Sequence, residues 1–386
     1  MVSIDLLRIV SMMMVVMLHY LGKGKLLPEV TGDISGNGYV AWGLESLSIV
    51  AVNVYMLISG YFLVETGFKA KRVAELVCQV LFYAILVPVV LVALGIISTE
   101  KFTLYYLLQT VLPVQMQQYW FITAYIIMYL LSPVLAAGAK ALTREQLRNT
   151  VMALLLFFAV SKSVLPFQLE VDAKGYDALW FITVFLVAAY IRLYGIPFFT
   201  KKETGRRGAM CYLLSCAGIY GVMLAVRLVY QKTGSLDHFI QNTYHYNHIL
   251  NLFAAVSLFY AFSYVKIKED GFAGRLIIKM APYTLGVYLL HEQIDMRDLW
   301  PGWLGATLEC NMLVFCKTAE YIQKQSGNAA SDKGNHTGGQ VYPSDKNTNR
   351  AEGQHCYNKL EPIFHTSPRK MRPKDILSGA FRYYFE

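Results

Sequence analysis

Nine stretches of this chain are apolar over close to the length needed to cross a bilayer: 4–22, 46–64, 74–97, 119–137, 149–165, 178–194, 209–230, 248–265 and 281–299. A helix rises about 1.5 Å per residue and a hydrocarbon core is about 30 Å thick, so about 20 residues make one crossing. Backbone groups in such segments must be satisfied within the segment, which selects helices. Residues 302–316 form a short tenth run. The predicted fold is therefore all-α, a polytopic transmembrane bundle of about 9–10 helices. The stretch 103–118, with Pro113 and the glutamines Gln115, Gln117 and Gln118, is too polar late on to span and reads as an interfacial or re-entrant helix.

Composition agrees: 55% of residues are hydrophobic and 16% charged, with a mean hydropathy of +0.38, values suited to a membrane protein rather than a soluble domain. The net charge of +9 does not indicate nucleic acid, because the basic residues sit in short clusters between apolar spans. The first helix carries Asp5 and Arg8, lacks a basic leader and has no A-x-A-like site before Gly22, so it does not read as a cleavable signal. Six scattered cysteines without C-x-x-C or a His-rich partner spacing indicate neither a disulfide framework nor a metal site.

Charge asymmetry sets an expected topology. Lys69, Lys71 and Arg72 follow the second span, Lys140, Arg144 and Arg148 the fourth, Lys201, Lys202, Arg206 and Arg207 the sixth, and Lys266, Lys268, Arg275 and Lys279 the eighth. All four clusters share one side if the N-terminus is cytoplasmic, as the positive-inside rule requires. Lys23 and Lys25 then fall outside and dissent slightly. From about Lys317 hydrophobic periodicity is lost until the last dozen residues, so the chain divides into a transmembrane domain, 1–316, and a polar, disordered tail, 317–386.

Within the first span, Arg8 and His19 lie eleven residues apart. At 100° per residue they share one helix face, about 16 Å apart along the axis, and Asp5 is near enough to pair with Arg8. Ionisable groups in a membrane helix are costly and usually face a bundle interior or polar pathway. Two readings of His19 stand: a general base with a pKa near neutrality, or an interfacial histidine satisfied by water or a carbonyl. Arg8 is a catalytic partner or a snorkelling anchor. Lys69, Lys71 and Arg72 suit donor phosphates and equally suit topology alone.

Asn53, Asn247 and Asn251 need partners in a bundle and read as helix–helix glue, with Asn53 also a candidate for substrate contact. Trp120-Phe121-Ile122-Thr123 recurs as Trp180-Phe181-Ile182-Thr183, either an aromatic belt or part of an acceptor site. His291 and Glu292 are site builders or a surface cap. Arg192 and Arg227 read as anchors, and Lys162 has no assigned role.

The run Asp5-Leu6-Leu7-Arg8 followed by His19 resembles the D-x-x-R…H signature of the acyltransferase-3 family of multi-pass membrane acyltransferases. Asn53-Val54-Tyr55-Met56-Leu57-Ile58-Ser59-Gly60-Tyr61-Phe62-Leu63 is similar to that family's second helix. Tyr119-Trp120-Phe121 with Leu131-Ser132-Pro133 resembles its fourth, and Leu285-Gly286-Val287-Tyr288-Leu289-Leu290-His291-Glu292 a late one. The resemblance covers roughly residues 1–305. It implies transfer of an acyl group, usually acetyl, from cytoplasmic acyl-CoA to a hydroxyl of an envelope carbohydrate, with acyl-CoA a co-substrate and no tightly bound cofactor. It implies His19 as the essential base, Arg8 as its paired arginine with Asp5, and Lys71 and Arg72 as the CoA contact, beside which the cluster reading adds Lys69. Asn53, Tyr119, Trp120, His291 and Glu292 are the expected substrate residues, and a cell-membrane location with a cytoplasmic N-terminus follows. Residues 306–316, interrupted by Glu309 and Asn311, and the tail beyond depart from the family pattern. A transporter or flippase of a lipid-linked sugar, with the intramembrane charges as its path, is the alternative of a different class, and a non-catalytic membrane protein is a third.

Overall fold

The first apolar run forms α1 (Val2–Lys23), an unbroken helix of 22 residues with Asp5 in its first turn and Lys23 in its last, charges that complement the helix dipole. A computed structural model describes residues 2–167, 170–199 and 203–305, all within one compact unit, Met1–Tyr321. The helices that follow are α2 (Gly36–Ser48), α3 (Ala51–Thr66), α4 (Ala70–Ala93), α5 (Leu104–Val111), α6 (Trp120–Ala141), α7 (Arg144–Val164), α8 (Ala178–Tyr194), α9 (Thr204–Thr233), α10 (Asp237–Asn242), α11 (Ile249–Ser263), α12 (Phe272–Met280), α13 (Thr284–His291) and α14 (Trp300–Trp303). No strand occurs among the described residues. The molecule is a multi-pass, all-α membrane bundle.

Among the described residues, six helical runs are long and apolar enough to cross a membrane: α1, α2 with α3, α4, α6, α7 and α9. Burial sorts them into layers. Of the apolar window in α2–α3, 72% is buried, against 28% in α4 and α9 and 22% in α7, so α3 is central and the other three face lipid. Two shorter apolar helices, α8 and α11, of 17 and 15 residues, complete the interior beside α3. They fall short of a full crossing, yet irregular backbone at their ends is tolerated where protein covers it. Asn251 shows how: its Nδ2 donates to the carbonyls of Thr243 and His245, 3.2 and 2.6 Å away. The α9–α11 contact is close because residue 208 is glycine. A Cβ there would lie 2.6 Å from the Ala261 nitrogen and 2.7 Å from the Ser257 carbonyl oxygen.

Eight of the predicted spans thus correspond to helices, and α5, at eight residues, is too short to cross, as its polar end implied. The ninth differs. Helix begins earlier, at Phe272, is interrupted by a tight 3-10 turn at Ala281–Tyr283, and stops at His291 instead of 299. Pro282 accounts for the interruption, since it has no N–H to donate. Gln293 accounts for the stop: its Oε1 accepts the backbone N–H groups of Asp295 and Met296, at 2.8 and 3.1 Å, and holds that stretch in turns. Most of the expected tenth run, the boundary at 316 and the polar tail lie outside the described residues.

Candidate functional site

One face of α1 builds the site. Arg8, Met12, Val15 and His19 follow one another at four, three and four residues, the repeat of a single helical stripe, and all four line one cavity of about 290 Å³. Opposite them stand Val52, Tyr55 and Ser59 of α3, Arg72, Val73 and Leu76 of α4, and Trp120, Phe121, Ile122 and Tyr125 of α6. Tyr246 and, on α13, Thr284, Leu285 and Tyr288 close it. The cavity is apolar and aromatic along most of its length, with Arg8 and Arg72 toward one end and His19 toward the other.

At the arginine end, Asp5 Oδ1 lies 2.5 Å from Arg8 Nη1, the i, i+3 pair predicted from spacing. The guanidinium also sits over the Phe62 ring, 5.9 Å from its centroid, and the Tyr55 hydroxyl donates to the Arg8 carbonyl at 2.6 Å, tying α1 to α3. Of the three basic residues after the second span, Arg72 lines the cavity. Lys71 is 86% exposed and pairs with Glu75 at 3.5 Å, one turn along α4. Lys69 is the N-cap of α4, its backbone N–H bound to the Tyr129 hydroxyl at 3.0 Å. The two lysines are therefore outside the cavity lining, and Arg72 is in it.

At the other end, His19 Nδ1 lies 2.7 Å from His291 Nε2 and 3.3 Å from Glu292 Oε2. His291 Nδ1 in turn lies 2.6 Å from the Val287 carbonyl, one turn back on α13. Arg297 Nη1 is 3.7 Å from the other Glu292 oxygen. His291 and Glu292, separated from His19 by more than 270 positions in sequence, are its direct neighbours, and the His19 side chain stands on a cavity wall with these two buried partners.

Of the remaining expected substrate residues, Asn53 and Tyr119 stand behind the wall. Asn53 is fully buried. Its Nδ2 donates to the Tyr246 carbonyl at 2.7 Å and its Oδ1 accepts from Trp180 Nε1 at 2.9 Å, so it holds Tyr246 in place. Tyr119 donates its hydroxyl to the Leu289 carbonyl at 3.1 Å, bracing α13. Trp120 does line the cavity and stacks with Tyr246 at 5.8 Å. The two Trp-Phe-Ile-Thr copies therefore do different jobs: Trp120 is a wall residue, and Trp180 is a buried donor to Asn53.

A second polar group, not foreseen, anchors the loops at the His19 end. Lys162 Nζ lies 2.6 Å from Asp172 Oδ2, both side chains almost wholly buried. Asp172 Oδ1 accepts from Asn247 Nδ2 at 2.7 Å and from the Lys174 N–H at 2.8 Å. Gly175 lets the segment close in: at φ +83°, with a Cβ that would stand 2.8 Å from the Asn247 nitrogen and from Tyr246 Cβ, only glycine fits. Burial, and after it the charges of Lys162 and Lys174, push the neighbouring His245 imidazole down to about 3. Arg227, expected to be an anchor, is buried and donates to the carbonyls of Val30 and Gly32.

A family profile described as an acyltransferase domain, that of acyltransferase-3, matches residues 1–303. The chain belongs to this family. No curated protein and no solved structure matches it. The match ends close to where the helical description does, and it takes in every wall of the cavity.

Proposed function

We propose that this protein is a cell-membrane O-acyltransferase that moves an acyl group, acetyl in the simplest case, from cytoplasmic acyl-CoA to a hydroxyl of an envelope carbohydrate. The observation that carries this reading is the single cavity joining Arg8 and Arg72 to His19. With the N-terminus cytoplasmic, Arg72 meets the CoA phosphates, and the lysines beside it add only to the local positive charge. The pantetheine arm follows the apolar wall of Met12, Val15 and Ile122, and the thioester arrives at His19.

There His19 takes the proton from the acceptor hydroxyl as the oxygen attacks the thioester carbonyl. The C–O bond forms, the C–S bond breaks, and the proton passes from the imidazole to the CoA sulfur. The length of the stripe favours one part for Arg8. About 16 Å of helix separates it from His19, too far to touch the oxyanion formed beside that histidine, so Arg8 with Asp5 holds the donor's arm. The exclusion of water by the aromatic wall strengthens each charge interaction inside.

Membranes carrying the protein, incubated with labelled acetyl-CoA and extracted for glycan, test the reading. Label transferred to hydroxyl groups supports it. Sugar moved across the membrane without label would make the protein a transporter, and neither outcome would leave a non-catalytic role.

A further inference from the structure

We infer that His291 and Glu292 act on His19 instead of on substrate: His291 fixes the tautomer that makes His19 Nε2 the base, and Glu292 balances the charge that forms there. This rests on the reading of His19 as general base.

The proton positions follow from one carbonyl. The Val287 oxygen can only accept, so His291 Nδ1, 2.6 Å away, carries a hydrogen. A neutral imidazole has one N–H and one lone pair, and His291 Nε2 is therefore an acceptor. His19 Nδ1, 2.7 Å from it, must donate. The lone pair of His19 is left on Nε2, as the base needs. Glu292 Oε2, 3.3 Å from the same Nδ1, agrees, because a carboxylate beside an N–H is favourable and beside a lone pair is not.

The relay orients and does not conduct. Val287 O cannot take a proton, so the chain of hydrogen bonds ends at His291 and no proton passes beyond it by that route. The acceptor proton enters at Nε2 and returns from Nε2 to the CoA sulfur. While it resides there the imidazolium faces His291 and Glu292 from the α13 side. Arg297 and Asp298 follow Glu292 in the same segment, with Arg297 on the far carboxylate oxygen. The Tyr288 ring is 6.3 Å away, with Tyr119 behind it. From α1 itself, Lys23 lies four residues on. Glu292 carries the carboxyl group that faces the ring that must become a cation. Both are positioning residues.

Three variants in membranes test this: His291→Leu, His291→Gln and Glu292→Gln, each assayed for kcat, for KM of acetyl-CoA and acceptor, and for the pH profile of kcat. His291→Leu removes the acceptor and is expected to lower kcat about 10²-fold, with both KM values within twofold. His291→Gln offers an amide oxygen to His19 Nδ1 and is expected to stay within about tenfold of the parent. Glu292→Gln removes an anion from beside the imidazolium, so the acidic limb of the profile shifts to lower pH by about one unit. Raised KM with intact kcat, equal damage from Leu and Gln, or an unmoved acidic limb would overturn the inference. If His291→Leu does not elute as a folded monodisperse species, the Gln variants decide the matter alone. Failure here with His19→Ala still inactive overturns only the relay, whereas an active His19→Ala overturns the base.

Discussion

Replacing Lys162 with methionine leaves the Asp172 carboxylate buried without its cation, and the structure sets the size of the effect. At 2.6 Å, and with side chains only 2% and 5% exposed, the Coulomb attraction is about 6 kcal/mol at an effective dielectric of about 20. Desolvation of both ions offsets much of it, and breaking one side of a buried pair costs about 3–5 kcal/mol. Lys162→Met should fall near about 3 kcal/mol, because Asn247 and the Lys174 N–H still donate to the carboxylate. Asp172→Leu should fall near about 5 kcal/mol, because it strips the partner from the ammonium and the acceptor from two donors at once. The double variant removes both charges but still leaves the two donors without their acceptor, so it should lose about 2–3 kcal/mol, well below the sum of the single losses. Denaturant unfolding in micelles, followed by tryptophan fluorescence, measures the cycle. Single losses that simply add in the double variant, with a coupling under about 0.5 kcal/mol, would refute the reasoning. The pair holds the loop bearing Tyr176 against the segment bearing Tyr246, so the single variants should also weaken acceptor turnover.

Asn53→Leu should destabilise the bundle by about 2–4 kcal/mol, since it orphans Trp180 Nε1 and the Tyr246 carbonyl together. The same unfolding assay reads it, and an unchanged stability with a raised acceptor KM would return Asn53 to substrate contact. Arg72→Ala should raise the KM for acetyl-CoA about tenfold or more, as loss of a charge-assisted contact does. Lys71→Ala, removing an exposed i, i+4 pair, should change it less than about twofold, and equal effects would place the phosphates on the lysine.

Local spacing carried much of this architecture. The α1 stripe is legible because residues repeating every three or four positions share a face, and Asp5 meets Arg8 at the distance that i, i+3 spacing allows. The basic clusters and apolar runs locate α3, α4, α6 and α9 for the same reason, since each is a property of one segment. Pro282 was visible in the ninth run and marks where its helix breaks, but the capture of two amides by Gln293, which ends the helix early, left no periodic trace. What spacing cannot carry is contact between segments. His19 and His291 are 272 positions apart. Lys162 meets Asp172 across a loop, and Asn53 spends both ends of its amide on partners more than 120 positions away. Tyr246 lines the cavity from an irregular segment in which no period exists to flag it. Family resemblance singled out His19, His291 and Glu292 separately, and only their packing puts the three on one ring nitrogen.

The central claim is that His19 is the base at one end of a cavity whose other end holds the donor. Its most direct test is the rate of labelled acetyl transfer by His19→Ala at saturating acetyl-CoA, alongside direct measurement of acetyl-CoA binding. The account predicts a kcat lower by about 10²–10⁴-fold with donor affinity unchanged, because Arg8 and Arg72 remain in place. Transfer at the parent rate by His19→Ala would contradict it.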